Sequence, residues 1–195
     1  MGKHLSEMTL EELWQLFPIF LTKPNPQWEA YYEEMEALLR ETLQAFRVER
    51  VSHIGSTAIR GIWAKNIVDI LLEIAPGEDM DAVSRALAQA GFRVMSRSED
   101  RVSLNWGYTE KGFADKVYHL HLRRAGDNDE LYFRDYMNER PDLAKEYEQM
   151  KLRLWKQFEH DRDGYTEAKT ALIRQYTAEA KAAYPGRYAP KGSAE

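Results

Sequence analysis

Three short segments carry the residues whose types and spacing suit chemistry. In the first, His53-Ile54-Gly55-Ser56-Thr57, a Gly-Ser step closes an alternating apolar run and precedes a short helix. Free backbone N–H groups, a hydroxyl and the positive end of a helix dipole together hold phosphate. A plain turn with a helix cap accounts for the same residues. The second is Asp69, inside the run Ile67 to Ile74, which is otherwise apolar apart from Glu73. An ionised carboxylate there is costly without a partner. A metal would supply one, and so would a buried pair with Lys65 or an arginine. Strand alternation puts Leu71 and Glu73 on the Asp69 face, but Glu73 stands about 13 Å along, too far to share a metal without a bend. The third is His119-Leu120-His121, two imidazoles on one strand face. That spacing suits a divalent metal, acid–base work, or a hydrogen-bonded structural pair. His53 stands near the Gly-Ser step and could join them, or be a satisfied histidine at a strand end.

The C-terminal third adds cations. Tyr147 and Lys151, and again Tyr165 and Lys169, are spaced to share one helix face. Facing a cleft, such lysines would neutralise a triphosphate. The alternative is packing, with each lysine stem laid along apolar surface. Arg134, in Phe133-Arg134-Asp135-Tyr136, could grip phosphate bidentately or pair with a local acid.

The elements that must position these residues are legible in outline. Thr9 and Glu12 form a capping box ahead of a helix with Leu10, Leu13, Trp14 and Phe17 on one face. A loop with three prolines spans Pro18 to Pro26. A second helix starts near Pro26, its face made by Trp28, Tyr31, Tyr32, Met35, Leu38 and Leu39. The aromatic positions of both helices, Trp14, Phe17, Trp28, Tyr31 and Tyr32, read as core and interhelix packing. Strands are expected over Phe46–Ile54, Ile67–Ile74, Phe92–Ser96, Arg101–Trp106 and Lys116–Arg123, with a helix over Asp79–Ala90 and a loop over Gly107–Asp115. Three helices follow, near 130–138, 141–158 and 164–184, the second opened by Pro141. The order reads as α+β: a mixed β-sheet core over 46–124, helices over 1–45 and 129–184, and a polar tail over 185–195, all in one domain.

Composition narrows the options. The chain has 195 residues, 27 basic and 32 acidic, for a net charge of −5. The acidic balance argues against nucleic-acid backbone binding as the main activity. There is no cysteine, which excludes disulfides, thiolate catalysis and thiolate-held metals. A reducing, cytoplasmic location is compatible and expected. The first residues include no apolar run of signal-peptide length. Asp69 and Glu73 break the most apolar stretch, so no membrane span is expected. Any metal must be held by oxygen and imidazole, which favours magnesium or manganese. Nothing indicates an oligomeric state.

Gly55-Ser56, twelve intervening residues and an acid on a strand resemble the nucleotidyltransferase superfamily with the polymerase-beta-like fold. Read with YHLHL (Tyr118–Leu122), LYFRDYMNERPDLAKEYEQMK (Leu131–Lys151) and YTEAK (Tyr165–Lys169), the segment His53–Ile74 is identified as a member of the GrpB family, with the likeness running from Trp28 to Ala180. The resemblance implies a magnesium-dependent transfer from a nucleoside triphosphate to an acceptor that the sequence does not identify. Gly55, Ser56 and Thr57 would hold phosphate. Asp69, His119 and His121 would hold metal, with Asp69 and His121 catalytic, and Lys65, Arg134, Lys151 and Lys169 would neutralise charge. This chain departs from the family pattern in two places, and with the family it departs from the superfamily in a third. Arg60 and Asn66 stand where the family usually has proline, and Leu71 takes the place of the superfamily's second carboxylate. The missing acid keeps two alternatives open: a module that binds a nucleotide or phosphorylated metabolite without turnover, and a protein in which these are folding features alone.

Overall fold

Extended chain alternates its side chains with period two, and the central strand uses both faces. In the computed structural model, which describes residues 4–190, this strand is β4 (Val68–Ile74). Val68, Ile70, Leu72 and Ile74 point into a buried apolar core, while Asp69, Leu71 and Glu73 point to the other side. Antiparallel β2 (Val48–Ile54) pairs with one edge of β4, and β7 (Gly112–Arg124) runs parallel along the other. Beyond β7 lie β6 (Arg101–Thr109) and β5 (Arg93–Arg97), both antiparallel to their neighbours, giving a five-stranded mixed sheet in the order β2-β4-β7-β6-β5. A two-stranded ribbon, β1 (Leu21–Thr22) with β3 (Ala64–Lys65), stands apart.

Two helices cover the apolar face. Trp28, Tyr32, Met35 and Leu39 of α2 (Gln27–Thr42) and Met80, Val83 and Leu87 of α3 (Met80–Gln89) form one cluster with β4 and with Tyr118, Leu120 and Leu122 of β7. Asp79 caps α3 by accepting from the Asp81 and Ala82 N–H groups. The opposite face meets α4 (Asp129–Glu139), α5 (Pro141–Gln157) and α6 (Arg162–Ala183), which share a second core around Tyr132, Phe133, Tyr136, Met137, Tyr147 and Tyr176. Leu71, Ile54 and Leu131 join the sheet to these helices. The architecture is α+β. Among the described residues no helix is long and apolar enough to cross a membrane. The end of the polar tail, beyond residue 190, lies outside the described residues.

Three local expectations need correction. The capping box at Thr9 and Glu12 is present, but α1 (Leu10–Leu16) buries no side chain and leaves Leu10 64% exposed. The core residue is Phe17, just past the helix end, packed on the rings of Tyr108 and Phe113 at 4.8 and 5.0 Å. That packing also explains why Gly107–Asp115 is not a loop. Tyr108 and Phe113 face each other across β6 and β7, so the strands continue to a tight turn at Glu110-Lys111. Gly107, at φ +87°, absorbs the bulge, because a Cβ there would strike the Lys116 backbone. Finally, the helix after the Gly-Ser step is a single three-residue 3-10 turn, Ser56–Ala58. It brings little helix dipole to bear on an anion.

Glu73 is structural. Its side chain is 2% exposed, accepts from the Gly126 N–H at 2.8 Å and the Asn128 amide at 2.9 Å, and faces Arg50 at 3.3 Å. It therefore ties β4 to the connection into α4. Glu73→Ala removes the acceptor of the Gly126 N–H and one of two acceptors of the Asn128 amide, leaves Arg50 without its carboxylate, and should lower unfolding free energy by about 3 kcal/mol, read from the urea midpoint. A loss of a few tenths would show that the tie carries no weight.

Candidate functional site

The site begins where β2 ends. Register places Ile54 opposite Asp69, so the next residue, Gly55, lies directly over the Asp69 side chain. Gly55 has φ +70°, and a Cβ built on it would lie 2.9 Å from both Cβ and Cγ of Asp69. Glycine is needed twice over, for the left-handed backbone and for the close approach. Ser56 then turns toward α5, its hydroxyl 3.4 Å from the Tyr147 hydroxyl.

The other edge of β4 brings the histidines. Parallel pairing sets His119 opposite Asp69 and His121 opposite Leu71, and all point to the same face. Asp69 Oδ1 lies 3.2 Å from His119 Nδ1 and 3.4 Å from His121 Nε2. Proton positions follow from the partners. Arg162 only donates, and it donates to the Tyr108 hydroxyl at 2.6 Å. The Tyr108 proton then goes to His119 Nε2, 2.8 Å away, so the N–H of His119 is on Nδ1 and donates to Asp69. Arg123 likewise reaches His121 Nδ1 at 3.5 Å, which leaves Nε2–H for Asp69. Burial pushes the Asp69 carboxyl up, but the hydrogen bonds and charges of His119 and His121 outweigh it and hold the group well below the usual carboxylate range. Burial lowers His119 against the opposing pull of Asp69. The carboxylate is 26% exposed and opens into a cleft.

That cleft has a volume near 660 Å³ between the sheet and α4–α6. Gly55, Ser56, Asp69, His121, Tyr147 and Lys169 line its inner part. Lys169 stands 4.5 Å from the centre of the Tyr165 ring, makes no hydrogen bond or ion pair among the described residues, and is lowered by burial to about 8. Lys151 is near but behind the wall: it is 1% exposed, donates to the Trp63 carbonyl at 2.5 Å, and burial lowers it to about 7. Lys65 sits 4.7 Å from the same Tyr165 ring but faces a neighbouring pocket, and no ion pair joins it to Asp69.

Other expected residues lie elsewhere. The Arg134 guanidinium is spent on the His53 carbonyl, Asp135 and the Tyr188 hydroxyl, so it fixes α4 to the end of β2 outside the cleft. Arg60 bonds Asn138 on that same outer side. His53 points away from Asp69, stacks on Tyr32, and bonds Glu29 at 3.2 Å and the buried Thr57 hydroxyl at 2.9 Å. Thr57 and His53 therefore brace the turn from behind. Sequence reasoning missed Tyr108 and Arg162, which nothing local connects, and Arg101, Arg174 and Lys181 farther along the cleft. Only the α6 cations left a signal, since Lys169, Ile173, Thr177 and Lys181 recur every fourth residue.

The donor set does not fit magnesium. Mg²⁺ wants oxygen ligands in near-octahedral order. Here one carboxylate is flanked by imidazoles whose facing nitrogens carry protons, and the next cleft-facing position is the fully buried Leu71. Among the described residues no group of three or more His, Asp or Glu side chains is arranged to hold a metal ion. Manganese, with the same preference for oxygen, fares no better.

The sequence pattern of the family described as "GrpB protein" matches residues 18–179. The Glutamate-rich protein GrpB of Alkalihalophilus pseudofirmus is 31% identical over 160 residues, spanning 80% of this chain and 91% of that protein. Among solved structures, the conserved protein GrpB from Enterococcus faecalis superposes with TM-score 0.73 at 26% identity, covering 85% of this chain and 99% of that one. The Cid1 poly(U) polymerase, solved with MgGTP, superposes with TM-score 0.50 at 12% identity over 76% of this chain and 47% of its own. That likeness is one of fold.

Two outcomes follow from the geometry. Gly55→Ala forces a side chain onto Asp69 at positive φ and should cost about 1–3 kcal/mol, measured by chemical denaturation. In Asp69→Asn the carboxylate no longer favours the imidazolium, so the His119 titration, followed by NMR, should move further down. An upward move would show that the pair is not coupled as drawn.

Proposed function

The chain belongs to the GrpB family, and from that premise we propose that its cleft binds the phosphate groups of a nucleotide or a phosphorylated small molecule on a nucleotidyltransferase-like fold. One observation carries the reading. Lys169, a cation with no hydrogen-bonding partner among the described residues, stands on the same inner wall as the Gly55-Ser56 turn, with Arg174 and Lys181 farther along α6. A desolvated ammonium whose pKa is driven down by burial gains most from an anion brought beside it. Tyr147 forms part of this wall and Lys151 stands behind it, while Lys65 and Arg134 take no part in it. Asp69 is kept anionic by its two N–H donors, and its charge keeps Lys169 protonated more than burial alone would allow.

A second reading, nucleotidyl transfer, is favoured by the cleft-facing Asp69–His121 contact. An acceptor hydroxyl would attack the α-phosphorus, its proton passing to this pair while the bond to pyrophosphate breaks. Leu71 and the poor fit to magnesium weigh against it, so binding without turnover is the reading preferred here.

A thermal-shift panel of nucleoside triphosphates, coenzyme A precursors and sugar phosphates tests both. A ligand at about 100 times its dissociation constant stabilises by about 2.7 kcal/mol. The shift should persist in Asp69→Asn, vanish in Lys169→Met, and weaken as pH rises through about 8, because Lys169 is charged below that value and neutral above it. No shift with any member would sink the binding reading. Pyrophosphate release abolished by Asp69→Asn would move the assignment to the transferase.

A further inference from the structure

Beside the cleft, and sharing none of its lining residues, lies a smaller pocket of about 220 Å³. Four segments distant in sequence close it: the chain after α1, β3, the β6–β7 hairpin tip and the start of α6. They are pinned there, since Ile19 donates its N–H to the Glu159 carbonyl at 2.9 Å and Phe20 packs edge-on against Trp155 at 5.3 Å. The walls are apolar, from Phe17, Ile19, Ile67, Phe113 and Val117. The polar part is cationic. Lys65 and Arg162 both line the pocket, and neither has an ion-pair partner among the described residues. Arg162 commits one N–H to Tyr108 and keeps the rest of its five donors. Asn66 accepts the Trp28 indole N–H through its carbonyl oxygen at 2.8 Å, and its NH₂ has no partner among the described residues.

We propose that this pocket binds a small monocarboxylate with an aromatic or branched aliphatic body, its carboxylate held by Lys65 and Arg162. An apolar cavity of about 150 Å³ accepts benzene, so this one has room for a ring together with a carboxylate. Charge complementarity selects the anion: two cations at the wall of a small apolar space repel each other until a carboxylate separates them, and a guanidinium presents the planar fork that a carboxylate fits. The repulsion is already visible in Lys65, which burial first, and then Lys169 and Arg162, lower to about 7. The pocket also touches the chemistry of the main cleft. Arg162 anchors the Tyr108–His119–Asp69 chain, so a carboxylate on Arg162 sits at its far end.

Calorimetric titration of the full chain with phenylacetate and 3-methylbutanoate, against neutral phenylacetamide and against phenyl phosphate, tests this. Saturable binding of a carboxylate is expected, with the amide at least about tenfold weaker. Lys65→Met and Arg162→Met should each weaken the carboxylate about tenfold. Ala114 is exposed at the pocket mouth. Ala114→Trp should therefore abolish binding with the melting temperature unchanged, which keeps the test valid if a buried variant misfolds. Any of four results overturns the proposal: no saturable carboxylate, an amide bound as well, phenyl phosphate bound better, or undiminished affinity in Ala114→Trp. Because Lys169 is outside this pocket, a Lys169→Met protein that loses its phosphate ligand yet still binds phenylacetate separates this inference from the function proposed above.

Discussion

The contact between Asp69 and the residues on its two flanks is the constraint on which the rest of the molecule turns. One strand, β4, is antiparallel to β2 and parallel to β7. The first pairing puts Gly55 over the carboxylate, and the second puts two imidazoles beside it. A slip of one residue in either register would turn Asp69 into the apolar core, where an unpaired carboxylate costs several kcal/mol. The expensive residue thus enforces the register, and the register in turn builds the site.

The charge distribution follows the same logic. Carboxylates buried in or near the sheet are matched by donors: Asp69 by two imidazoles, Glu73 by the Gly126 N–H and the Asn128 amide. Lys65, Lys151 and Lys169 have no carboxylate in ion-pair contact among the described residues. Lys65 and Lys169 lie against the face of one tyrosine, and Lys151 over another. Ring quadrupoles offset only part of the desolvation, which is why burial holds all three below the ordinary lysine range.

The site was legible wherever its residues are neighbours along one strand or turn. Gly55-Ser56, Asp69 and the His119/His121 pair each announce themselves by residue type and period, and they converge. Arg134 misled because a guanidinium beside an aromatic pair reads equally as a phosphate grip and as a bracket, and only its three protein partners decide for the bracket. Tyr108 and Arg162 were not legible at all. They meet His119 from two elements more than fifty residues apart, and one of them comes from a segment whose glycines read as loop.

By itself the sequence determined the α+β order of elements, the two-faced character of β4 and the identity of the central acid, because each rests on local period, spacing or composition; the family was legible only through the resemblance of its motifs. It also excluded thiol chemistry, since there is no cysteine. Only the tertiary structure decided which cations face the cleft, which way the imidazole protons point, and that Lys65 belongs to a second pocket. Those outcomes depend on distances between elements remote in the chain. Such distances are set by how α4–α6 pack over the sheet, for which no local pattern of residues is a proxy.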